Sequence, residues 1–224
     1  MYYDPTFIIL IPALLLSLWA TLSVQSRFNH YSQVRSRIGM TGAELAKFIL
    51  EASGLYNVRV ESIYGSLTDH YDPRAKVVRL SQATYSSDSV AALGVVAHEI
   101  GHAIQDAKGY TPLVIRNALA PVAQFSSNLA WILFIAGLFT GFFGVARLGI
   151  ILFSIAVIFS IITLPVEFDA SRRALAILEK NLMMPTDELK GVKAVLSAAA
   201  MTYVAAMLMA VLQLLRMILI TRRD

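Results

Sequence analysis

The chain has 224 residues, 57% of them hydrophobic and only 15% charged, an apolar share above that of ordinary soluble domains. It contains no cysteine, which excludes disulfides and thiolate metal ligands, so any metal must be held by His, Asp, Glu, backbone or water. The net charge of +4 is modest and dispersed, with no basic tract or recognition motif for nucleic acid; it suits an anionic membrane surface instead.

Residues 7–24 form a first apolar run long enough to cross a bilayer. The tail before it, Met-Tyr-Tyr-Asp-Pro, lacks the positive n-region of a signal peptide, and no A-x-A site follows, so an uncleaved anchor over 1–26 is expected. Arg27, Arg35 and Arg37, interleaved with Phe28, Tyr31 and Val34, read as a juxtamembrane amphipathic stretch lying against lipid headgroups. Thr41-Gly42-Ala43-Glu44 is a capping box; Leu45, Phe48, Ile49 and Ala52 then recur at helical spacing, and Gly54 stops the helix. Residues 57–63 alternate weakly and suggest a strand, 64–74 form a polar loop holding Asp69, His70 and Asp72, and 76–80 read as a second strand. That second strand would pair with the first or with Gly65-Ser66-Leu67.

The next helix carries the most informative motif. Ala97-His98-Glu99-Ile100-Gly101-His102 contains H-E-x-x-H, and residues four apart share one face of a helix. His98 and His102 can therefore offer imidazole nitrogens to one zinc ion, with Glu99 leaning toward it as general base on a water whose pKa the metal lowers to about 7. Ser87, Asp88 and Ser89 offer N-caps, no proline interrupts 90–104, and Gly109 is a plausible stop, so the motif lies on a helix as the chemistry requires.

Thr111-Pro112 opens a further helix, with Pro121 a candidate kink. The apolar runs 129–146 and 148–166, separated by little more than Arg147, predict a helical hairpin through the bilayer, with Gly137 and Gly141 permitting close helix contact. A charged stretch over 167–182 follows, Pro185-Thr186-Asp187-Glu188 restarts a helix, and 198–220 is a fourth apolar run with Ala198, Thr202, Ala206 and Ala210 four apart.

A catalytic zinc usually has three protein ligands and an open position. His70, in its loop, is one candidate for the third, and Glu167 is the better one. Two membrane crossings separate it from the histidines, so all three finish on one side. Lys and Arg near the spans favour that side over the one bearing Arg147, Arg222 and Arg223, which predicts a catalytic domain at the cytoplasmic surface and both termini outside.

The motifs Gly65-Ser66-Leu67-Thr68-Asp69-His70-Tyr71-Asp72-Pro73-Arg74, Arg79-Leu80-Ser81, the segment 97–105, Pro165-Val166-Glu167-Phe168-Asp169-Ala170-Ser171-Arg172-Arg173-Ala174 and the segment 198–206 resemble, in this order, the bacterial neutral zinc metallopeptidases of YugP type. More distantly the chain is similar to gluzincins, including the HtpX-type membrane protease and CAAX prenyl proteases. That resemblance implies Glu167 as third zinc ligand. Ser171 stands where the distant relatives have an aspartate that orients a zinc-binding histidine, a role for which Asp169, Ser171 or water is the replacement here. The gluzincin likeness also implies that the strand 76–80 is an edge strand to which an extended peptide adds, and that an oxyanion donor exists beyond zinc. Arg172, Arg173, His70 and Tyr203 are the candidates, with His70 and Arg173 ranked first.

The expected molecule is a mainly α protein with a small β-hairpin or sheet (α+β), zincin-like, with about four transmembrane helices. Its segments are an anchor (1–26), a catalytic domain (27–128), a transmembrane hairpin (129–166), a membrane-surface helix completing the zinc site (167–194) and a C-terminal apolar helix (195–224). The expected function is a multi-pass zinc endopeptidase of a bacterial cell membrane with one Zn2+ per chain, held by His98, His102 and Glu167. It would act on membrane-proximal protein or peptide substrates beside the lipid bilayer, with no nucleic-acid partner and with room for a regulatory membrane protein or a second copy of the chain. The rival readings are a site-2-type intramembrane protease and a non-catalytic, zinc-stabilised membrane scaffold.

Overall fold

The computed structural model describes residues 5–222; the expectations placed on the Met-Tyr-Tyr-Asp tail and on Arg223 lie outside the described residues. A short 3-10 helix, Pro5–Leu10, leads into α1 (Ile11–Ser32), followed by α2 (Gly42–Ala52), β1 (Arg59–Ile63), β2 (His70–Asp72), β3 (Val77–Ser81) and α3 (Gln82–Tyr85). Four long helices complete the chain: α4 (Val90–Ala107), α5 (Thr111–Thr140), α6 (Phe143–Lys180) and α7 (Thr186–Thr221). The fold is mainly helical with one three-stranded sheet, and four helices are long and apolar enough to cross a membrane: Thr6–Ser32, α5, α6 and α7. The chain divides into two compact units.

One unit comprises Met1–Ala20, Val114–Pro165 and Met201–Asp224. Its core joins Ala130, Phe134, Ala146, Phe153, Val157 and Met217. Gly149 has no side chain to hold α5 and α6 apart: a Cβ there would stand 2.7 Å from the Ala130 carbonyl oxygen.

The other unit comprises Thr21–Leu113 and Val166–Ala200. Thr41 and Glu44 make both bonds of the capping box at the start of α2. Ser89 caps α4, accepting from the Ala92 N–H at 3.2 Å. Leu93, Val96, Ile100 and Ala103 of α4 pack with Leu45 and Ile49 of α2, Val78 and Leu80 of β3, and Leu178, Val192 and Leu196 of the later helices. α4 is thus buried on most of its circumference, which explains its apolar sequence without any need for lipid.

The sheet runs β1-β3-β2, with β1 parallel and β2 antiparallel to β3. This corrects two expectations. The strand near 76–80 is the central one rather than an edge; it pairs with the first strand, one of the two partners expected, and on its other side with His70–Asp72, inside the stretch read as a loop, rather than with Gly65-Ser66-Leu67. Burial of Val77, Val78 and Leu80 is the physical reason for the central position. β2 escapes a pattern reading because three residues, His-Tyr-Asp, show no period. The β2–β3 turn is closed by Asp72, whose Oδ1 accepts from the Arg74 and Ala75 N–H groups at 2.9 and 3.1 Å.

The arginines after the first span also differ from expectation. α1 runs on to Ser32, and Arg35 and Arg37 sit in the loop beyond it, paired with protein carboxylates. Arg35 meets Asp88 at 2.5 Å, and Arg37 engages Asp187 and, at 2.7 Å, the buried Glu188 at the start of α7.

Gly101 sets the distance between α4 and the segment of α6 that carries Glu167. A Cβ at this position would stand 2.7 Å from the Ala170 carbonyl oxygen, closer than any side-chain carbon tolerates. Gly101→Ala should therefore force the two backbones apart at a cost of about 1–3 kcal/mol. The expected outcome is a lowered unfolding midpoint of the purified protein together with reduced zinc content by elemental analysis.

A candidate metal centre on α4 and α6

His98 and His102 project from one face of α4, their rings edge to face with centroids 4.8 Å apart. Glu167, buried to 2% exposure, reaches them from α6: its Oε2 lies 3.3 Å from His98 Nε2 and 3.5 Å from His102 Nε2. One ligand atom from each of the three residues falls within 4.8 Å of the others. Zinc bonds of about 2.0–2.1 Å in tetrahedral geometry place neighbouring ligand atoms roughly 3.3 Å apart. The nitrogen–oxygen spacings match that figure, and two imidazoles with one carboxylate are a donor set that a divalent ion such as zinc accepts.

The surroundings fix which ring nitrogen would face a metal. Gln105, fully buried, donates through Nε2 to the Val166 carbonyl at 2.8 Å and to Asp169 Oδ2 at 2.9 Å, which orients its Oε1 to His102 Nδ1 at 3.0 Å. With an acceptor opposite it, Nδ1 carries the proton and Nε2 keeps its lone pair for a metal. Ser171 Oγ plays the corresponding part for His98, 3.2 Å from its Nδ1. Asp169, at 4% exposure, is itself gripped by Arg172 and, at 2.5 Å, by Arg173. Burial disfavours a charged His102 ring, but its hydrogen bond to Glu167 and the nearby charges of Glu99 and Glu167 prevail and raise its pKa, so that a metal must displace a proton in acid.

Glu99 lies on the same helix, buried, and its Oε2 accepts from the Tyr71 N–H of β2 at 3.0 Å. β2 is held there by its neighbours. Tyr71 donates its phenolic hydrogen to Asp106 Oδ2 at 2.6 Å, and Lys76 meets the same oxygen at 2.6 Å. Burial, reinforced by Asp106, pushes the Tyr71 phenol above its ordinary pKa, so it remains a hydrogen-bond donor.

The structure places the other singled-out residues as follows. His70 is exposed on β2, its Nδ1 2.9 Å from the Thr68 carbonyl and its Nε2 3.5 Å from Arg79; it is not in the three-residue group. Arg173 is committed to Asp169, with its guanidinium 5.8 Å from the centre of the Tyr110 ring. Asp69 accepts from the Ser81 N–H and hydroxyl. Gln105, Tyr71 and Asp106 escaped the sequence reading. For Gln105 a signal existed: it stands three residues after His102, hence on the same face, and is polar within an apolar helix.

Truncating Gln105 to Ala should free the His102 ring and weaken zinc binding about 10- to 100-fold, a range typical of lost outer-shell partners. Ser171→Ala should act in the same direction through His98. Competition titration against a fluorescent zinc chelator measures both, and repeating it over a pH series should show affinity falling as His102 gains its proton.

Comparison with known proteins assigns the chain to a family. A family model described as "Putative neutral zinc metallopeptidase" matches residues 6–222. The chain is 50% identical over 210 residues to the "Putative membrane protease YugP" of Bacillus subtilis (strain 168), covering 94% of this chain and 93% of the relative. No solved structure matches. With nearly its whole length matched by the family model and half of its residues shared with that relative, the chain belongs to the neutral zinc metallopeptidase family.

Proposed function

We propose that the chain is a membrane-embedded zinc endopeptidase that hydrolyses peptide bonds of membrane-proximal protein segments. The observation that carries this reading is the convergence of His98, His102 and Glu167 beside a buried glutamate, Glu99, on the same helix as the two histidines. Zinc bound there supplies Lewis acidity to the scissile carbonyl and acidifies a water. His98 and His102 bind it through Nε2 and Glu167 through its carboxylate. Glu99 takes the proton of the attacking water and returns it to the leaving amine, one oxygen anchored by the Tyr71 N–H. Because β2, and not β3, is a strand at the edge of the sheet on the Glu99 side, an extended substrate would pair along its outer side.

We further read 1–26 as an anchor, 129–166 as a transmembrane hairpin, and 27–128 with 167–194 as the catalytic part on the cytoplasmic side, followed by an apolar helix over 195–224. A membrane location is supported by the four apolar helices and by the relative's name. α4 is not among those four, which weighs against a site-2-type arrangement with the histidines in a span. A structural site would be closed by four protein ligands, whereas among the described residues the group has three.

Purified Glu99→Gln protein should retain its zinc yet cleave a co-reconstituted single-span reporter at least about 100-fold more slowly, the scale of lost general-base catalysis. Glu167→Ala should lose the metal as well as the activity. Cleavage by the Glu99→Gln protein at the wild-type rate would contradict the assigned role.

A further inference from the structure

The unit formed by Met1–Ala20, Val114–Pro165 and Met201–Asp224 contains a second chemical feature, unrelated to the metal centre. A cavity of about 560 Å³ opens between the first turns of α6 and the end of α7, lined by Arg147, Ile150, Ile151, Ile218, Thr221 and Arg222. This is within the usual size range of small-molecule sites, roughly 300–1,000 Å³. Arg147 of α6 and Arg222, just past the end of α7, both line it beside three isoleucines.

Among the described residues of their unit no carboxylate side chain answers the charge of these arginines. No Asp or Glu occurs between Asp106 and Glu167, or between Glu188 and Asp224. The unit's two acids, Asp4 and Asp224, lie outside the described residues, and among the described residues neither Arg147 nor Arg222 forms an ion pair. Arg216, one turn and a half earlier on α7, behaves differently: its Nε donates to Thr6 Oγ1 at 3.3 Å and its guanidinium lies 5.5 Å from the centre of the Phe7 ring. Thr221 already donates its hydroxyl hydrogen to the Met217 and Ile218 carbonyls, so the arginines alone remain to bind an anion.

Arg147 is about one turn into an apolar helix and Arg222 follows the last residue of another, the depth at which a side chain reaches the headgroup layer. A cation pair at that depth, beside exposed isoleucine such as Ile151, fits an anion attached to an acyl chain. We propose that this cavity binds the phosphate of an anionic phospholipid between Arg147 and Arg222, with its acyl chain along Ile150, Ile151 and Ile218. The inference rests on α6 and α7 as spans and is independent of the peptidase reading.

The test is native mass spectrometry of delipidated full-length protein titrated with dioleoylphosphatidylglycerol, dioleoylphosphatidylcholine or inorganic phosphate. Wild type should bind phosphatidylglycerol in preference to phosphatidylcholine, and equimolar inorganic phosphate should not displace it. Arg147→Gln/Arg222→Gln should lose about tenfold in affinity, each single variant about threefold, and Arg147→Lys/Arg222→Lys should keep most of it. The single variants carry the test if the double Gln variant fails to fold. Undiminished binding by the Gln variants would overturn the proposal. So would an equal loss in Lys47→Gln/Lys108→Gln, which removes the same charge elsewhere, or displacement by inorganic phosphate, which would mark a free-anion site.

Discussion

The interaction on which the rest depends is that of a buried carboxylate, Glu167, with two imidazoles that approach it from the neighbouring helix. A carboxylate almost wholly out of water is expensive unless positive charge or strong donors compensate it. Here two imidazoles stand against it, and a divalent cation between the three groups would add positive charge at the same point. The arrangement exists because α4 and α6 come within backbone contact at Gly101 and Ala170, where a single methyl group would intrude. Helix packing and metal-binding geometry are thus one constraint, and a change that relaxes the packing also opens the centre.

Around this point the polar groups form two supports. Arg173 and Arg172 hold Asp169, Asp169 and the Val166 carbonyl hold Gln105, and Gln105 holds His102. On the other flank, Lys76 and Asp106 fasten Tyr71, whose backbone N–H meets Glu99. Each chain begins at partly exposed charge and ends on a buried group beside the histidine pair. Rigid placement of this kind is what the proposed general-base chemistry and metal geometry would both require. His70 faces Thr68 and Arg79, and Arg173 engages Asp169.

Local signals made much of this legible in the sequence. Thr41 with Glu44, Ser89 before α4, Gly109 after it and the long apolar runs all act through neighbours in the chain, and the elements follow them, except that the break between α5 and α6 falls at residues 141–142 and Arg147 lies inside α6. H-E-x-x-H is legible for the same reason, since helical spacing alone brings the two rings together. Sheet order was not, because β2 is three residues without a pattern, held by pairing with Val78 across a turn and by Asp106, far away in sequence. α6 runs past its apolar run through Glu167 to Lys180: hydropathy changes there, while Ala, Leu, Arg, Glu and Lys continue to favour helix. The tight passing of Gly101 by Ala170 and the aim of Gln105 are products of packing, which no spacing rule encodes.

Zinc K-edge X-ray absorption on the purified, zinc-loaded protein tests the central claim most directly. The account predicts a four-coordinate ion with ligands at about 2.0–2.1 Å, multiple scattering from two imidazoles and the remainder light oxygen donors. That signal should be lost in Glu167→Ala. A first shell with three imidazoles, or an unchanged spectrum in that variant, would contradict it.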